Sequence, residues 1–94
     1  MHDSSKVAKL REQRTLIEFL NTDLDLAFTF LNTAKIGLGC DEEHRTAALK
    51  KAAAALAAVR YFQQRIEDAA EWQKIQARAD ELENALQEFE AMPN

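Results

Sequence analysis

What this chain has little of already excludes much of what it could be. Its 94 residues include one Cys, one Pro, two Gly and two His. A single Cys closes no internal disulfide, which rules out the stapled scaffolds that small secreted domains use in place of a core. The longest strictly apolar run, Ala52 to Val59, is mostly Ala and far short of the roughly 20 residues a membrane span needs. The opening Met1-His2-Asp3-Ser4-Ser5-Lys6 lacks the apolar stretch of a secretory signal, so a cytoplasmic location is expected. Cations are outnumbered: 12 Lys and Arg stand against 16 Asp and Glu, for a net charge of −4. That balance suits a phosphate backbone poorly, and no nucleic acid partner is expected. Ser occurs only at Ser4 and Ser5, and no phosphate loop or nucleophile elbow can be found.

What remains is a helix-forming composition. Hydrophobic residues make up 47% of the chain, led by Ala and Leu, with Glu, Gln, Lys and Arg filling the polar positions. So few Gly and Pro, with so many strong helix formers, predict an all-α protein of one domain covering residues 1–94. The interior breaker is Ile36-Gly37-Leu38-Gly39-Cys40-Asp41. Its two Gly supply helix-ending conformations, and Asp41 with Glu42 and Glu43 suits the start of the next helix. The short connection predicts an antiparallel hairpin.

Upstream, Ile17, Leu20, Leu24, Ala27, Leu31 and Ala34 repeat at alternating spacings of three and four, the seam of an amphipathic helix. Leu16 and Phe28 broaden it. Phe19, Leu26 and Phe30 form a second apolar strip, which predicts contact with two neighbours. The first helix is expected over about 5–36, although Thr15 with Glu18 has capping-box spacing and would allow a later start. Asn32 and Thr33 are expected to loosen its last turn. Asn21 either bonds across helices or faces water, and water is the expectation.

Downstream, Leu49, Ala52, Leu56, Val59, Phe62 or Gln63, and Ile66 mark a second helix over about 42–66. It is flanked by so many Ala that neighbours can approach closely, and it is expected to be the central element. A third seam runs Trp72, Ile75, Ala79, Leu82, Leu86 and Phe89. Asp68 with Glu71 again has capping-box spacing, so a third helix is expected over about 69–91, with 1–4 and 92–94 flexible. The fold expected is an antiparallel three-helix bundle, up-down-up, and a compact chain of this length would have a radius of gyration of about 12 Å. Because Glu43 to Met92 contains no Gly or Pro, the alternative is one long rod, an α-hairpin that dimerises into a four-helix bundle. Charge is segregated: basic before Thr15, acidic beyond Ile66. The acidic helix is expected to be a solvated face, although it could instead meet the basic segment.

Little in this sequence points to chemistry. Asp41 and His44 share a helical face, but with His2 distant they do not make a zinc or di-iron ligand set. Cys40 is followed by three acids, which disfavour its thiolate, and no partner completes a nucleophile. The carboxylate pairs Asp23/Asp25, Glu42/Glu43, Glu67/Asp68 and Asp80/Glu81 read as exposed helix faces rather than acid–base groups in a cleft. No catalytic residue, metal site, cofactor or small-molecule substrate is expected, and no enzyme.

The segment Asp23-Leu24-Asp25-Leu26-Ala27-Phe28-Thr29-Phe30-Leu31, a short turn, then an Ala-rich helix bearing Ala48, Ala52 and Ala55 and a third acidic helix resembles small bacterial helical proteins of unknown function. More distantly it is similar to the helical hairpins of microtubule-interacting-and-transport domains and tetratricopeptide repeats. The tetratricopeptide Trp, Leu-Gly and Pro signature is lacking. That resemblance implies peptide or helix binding in a groove. The expected function is a non-catalytic interaction module with Phe19, Leu26 and Phe30 on the partner-binding strip. The alternative is a structural protein that self-associates as a homodimer. No membrane partner is expected.

Overall fold

Helices form where apolar residues recur at three and four. The computed structural model describes residues 3–36 and 42–91, arranged as α1 (Asp3–Ile36), α2 (Glu42–Gln63) and α3 (Ala69–Ala91). All three pairs of helices touch, consistent with an up-down-up bundle. The connection holding Gly37, Gly39, Cys40 and Asp41 lies outside the described residues, as do the terminal residues 1–2 and 92–94 expected to be flexible.

α1 begins at Asp3 rather than at about residue 5. Thr15 and Glu18 lie well inside it, because the residues ahead of them are helix formers with no Gly or Pro to stop propagation. Its end does not loosen at Asn32 and Thr33. Thr29 and Thr33 donate their hydroxyls to the carbonyls of Asp25 and Thr29, each at 2.9 Å, so these polar side chains are satisfied along the helix wall.

α2 ends at Gln63, three residues before the expected stop. No Gly or Pro is needed for that stop. Arg65 and Ile66 donate their N–H groups to the carbonyls of Phe62 and Gln63 at 3.0 Å, a tightened last turn that draws Ile66 into the core at 7% exposure. Asp68 then caps α3: its Oδ1 accepts from Glu71 N at 2.9 Å. From outside, Gln13 of α1 clasps the bend, donating Nε2 to the Arg65 carbonyl and accepting from Glu67 N, both at 2.9 Å. The chain from Glu43 onward is therefore a folded-back pair of helices, not one rod.

The core joins Leu20, Leu24, Ala27, Leu31 and Ala34 of α1 to Ala48, Ala52 and Val59 of α2 and to Ile75, Ala79, Leu82, Leu86 and Phe89 of α3. Full burial of a Leu or Ile side chain contributes about 1.5–3 kcal/mol, so α1 and α3 carry most of the driving force. As expected, α2 packs on both other helices, and its small buried side chains let α1 lie along it more extensively than either helix packs on α3.

The helices are unequal, with 34, 22 and 23 residues. The bundle measures 61 × 19 × 16 Å with a radius of gyration of 16.4 Å, well above the roughly 12 Å of a compact globule of this length. The difference follows from stacking three helices side by side without a second layer. It also follows from α1 running about three turns past the bend that Gln13 clasps. Among the described residues no helix is long and apolar enough to cross a membrane.

Candidate functional site

α1 buries one stripe and leaves two flanks. Phe19 and Leu26 stand seven residues apart on one flank and are 49% and 47% exposed. Phe30, further along the same strip, is half-buried and packed against the core. The ring of Phe19 meets Phe62 of α2 edge-on, with centroids 6.2 Å apart and planes at 86°. Lys51 Nζ lies 5.4 Å from the centroid of Phe30. From Phe19 to Phe30, and from Phe62 back to Lys51, the separation is the same, eleven residues. The two helices therefore run antiparallel in constant register, which sets Leu26 opposite half-buried Ala55. All three strip residues thus lie on the seam between α1 and α2.

At one end of this seam is an open groove of about 520 Å³. Leu16, Phe19 and Phe62 are its apolar lining, and Thr15, Glu12, Arg11 and Arg65 complete it. The Arg65 guanidinium stacks 5.4 Å from the Phe62 centroid. Tyr61, 66% exposed, stands edge-on to Phe62 at 5.0 Å. Stacked cations of this kind keep their charge in water while their stems cover aromatic surface.

The other two interfaces are polar at their margins. Between α2 and α3, Arg60 pairs with Asp80 at 2.9 Å and Glu83 at 3.4 Å. Gln76 donates to Asp80 at 3.2 Å and accepts from Gln63 at 2.5 Å. Gln63 is 1% exposed, and its Oε1 has no hydrogen-bond partner among the described residues. Between α1 and α3, Arg78 donates to Asn21 Oδ1 at 2.8 Å and to Asp25 at 2.6 Å. Asn21 therefore does not simply face water, as expected from sequence; a guanidinium on the acidic helix reaches it. The basic start of α1 meets acid at the bend, where Lys9 lies 3.3 Å from Glu67.

Sequence reasoning found the apolar strip but missed what stands beside it. Arg65, Lys51 and the pairing of Phe62 with Phe19 depend on inter-helix register, which no single helix reveals. The pair Arg60/Asp80 had no signal beyond opposite charge on neighbouring helices.

Among the described residues, no three His, Cys, Asp or Glu side chains gather where they could hold a metal ion. His44 is exposed on α2, while Cys40 and Asp41 fall outside the described residues. No family model matches the chain, and no curated protein or solved structure matches it either. The chain is a three-helix all-α protein, and the α1–α2 seam is its candidate site.

Proposed function

We propose that this chain is a non-catalytic interaction module that binds a helix or peptide of another protein along the α1–α2 seam. One observation carries the reading: Phe19 and Leu26, two turns apart on one strip of α1, keep about half their surface in water, and Phe19 also lines the open groove at the end of that strip. Single exposed apolar residues are ordinary, but aligned ones beside a groove are the usual anchor points of helix-in-groove recognition. The resemblance to helical hairpins that bind peptides points the same way. Phe30 is a supporting wall of the seam rather than an anchor, since the core and Lys51 already cover much of its ring.

A second reading is self-association into a homodimer. It is favoured by the projecting start of α1, where Val7 and Leu10 are 46% and 69% exposed.

A photo-reactive benzophenone side chain placed at position 26, in cells that make the chain, separates the two. A heterologous adduct, absent when the probe is moved to exposed Gln73 on α3, supports the module. An adduct of twice the chain's mass supports the dimer. Equal labelling from positions 26 and 73 overturns the seam as a binding surface.

A further inference from the structure

The geometry points to an acidic amphipathic α-helix as the occupant of the α1–α2 seam, gripped by cations at both ends and by apolar contacts between. This inference rests on the interaction-module reading and names the chemistry of its partner.

The argument starts from where charge sits. At one end Arg11 and Arg65 line the groove beside a single acid, Glu12. At the other end Lys51 stands at Phe30. Between these ends the seam presents Phe19, Phe62 and Leu26, with half-buried Asp23 a turn from both Phe19 and Leu26 on the same face, so acid on the partner is favoured only toward its ends. Eleven residues of helix separate the levels of the two rings on which these cations lie, Phe62 (opposite Phe19) for Arg65 and Phe30 for Lys51, or about 17 Å at about 1.5 Å per residue. A partner helix of three to four turns spans that distance. Its apolar residues at positions i, i+3 or i+4, and i+7 would cover Phe19 and Leu26. Carboxylates near its two ends would then meet Arg65 and Lys51.

The cations are poised for this. Both Arg65 and Lys51 are exposed, and each lies on an aromatic ring that forms part of the seam. An incoming carboxylate can pair with a cation whose stem is already held, so less side-chain freedom is lost on binding. The net charge of the whole chain is −4, so attraction of an acidic partner must be local to this seam, and it weakens with salt.

A second copy of this chain fits the seam poorly. Any two-fold contact centred on the seam sets one cationic end against a cationic end of the other copy, because both ends carry the same sign. The outer face of α3 supplies acid, but its exposed positions, such as Gln73, Glu81, Asn84 and Glu88, offer no large apolar anchor.

The test is a selection from a fully randomised library of displayed helical peptides, each of about five turns, against the full chain. Backbone amide shift mapping and a binding titration follow. The expected consensus carries apolar residues at helical spacing with Asp or Glu at both ends, and shifts centre on Phe19, Leu26, Phe62 and Arg65. The double variant Lys51→Glu/Arg65→Glu, exposed at both positions and checked for unchanged melting, should bind at least about tenfold more weakly at low salt. Seam-binding peptides without acidic ends would overturn this inference and leave the interaction module standing. A selection that yields no seam-binding peptide overturns both. A dimer at micromolar concentration that Leu26→Lys dissociates makes a second copy the occupant and also overturns it.

Discussion

Leu24 and Leu26 are two positions apart on α1 and differ in everything that matters: Leu24 is fully buried and Leu26 is 47% exposed. Their substitutions should separate folding from surface. Leu24→Lys places an unpaired charge in the core, at a cost of several kcal/mol against a typical stability of about 5–15 kcal/mol, and should leave the chain largely unfolded. Leu26→Lys should change stability by no more than about 0.5 kcal/mol. Thermal melts followed by circular dichroism decide between them, and a large loss for Leu26→Lys would place this residue in the core. At this scale the sequence was informative wherever one helix decides the outcome. The three-and-four spacing of Leu20, Leu24, Ala27 and Leu31 named their burial correctly. It failed where a partner decides. Phe62 and Gln63 competed for one seam position, and Gln63 took it because Gln76 faces it from α3 while Phe62 turns to Phe19. Asn21 was similarly undecidable without knowing that Arg78 lies opposite.

At the scale of the element, the informative case is the bend between α2 and α3. The sequence pointed to Asp68 as a cap, and Asp68 does accept from Glu71 N. It did not show that α2 stops at Gln63, because the stop is enforced from outside, by Gln13 and by the pull of Ile66 into the core. Asp68→Ala should therefore cost about 1 kcal/mol, a fall in Tm of about 4–8 °C for a domain of this size. Asp68→Asn, which can still accept the same bond, should retain most of the stability. Gln13→Ala should lower Tm by a comparable amount, since it strips the Arg65 carbonyl and the Glu67 N–H of their partner in one step. If neither alanine variant shifts the melt, the bend is held by Ile66 packing alone.

At the scale of the molecule, shape is the property the sequence misjudged. A chain of 94 residues packed as a globule would have a radius of gyration of about 12 Å, but three helices laid side by side cannot reach it. Their length is fixed at about 1.5 Å per residue, and no segment remains to build a second layer. The rod alternative fails at the same scale for a different reason. A helix from Glu43 to Met92 would be about 75 Å long, and it would leave Leu82, Leu86 and Phe89 without the neighbours that now cover them. Small-angle scattering on a size-exclusion peak of known mass distinguishes these arrangements. The three-helix bundle should scatter as a 10.7 kDa particle with a radius of gyration near 16.4 Å and a longest dimension near 61 Å. A particle of twice that mass, at least as long as that continuous helix, would mean that α2 and α3 have opened into a rod. The apolar surface of Phe19 and Leu26 would then be consumed by self-assembly, and no groove would remain for an acidic helix. A monomer of the expected dimensions keeps that seam in water, where the cations at its two ends can select what lies along it.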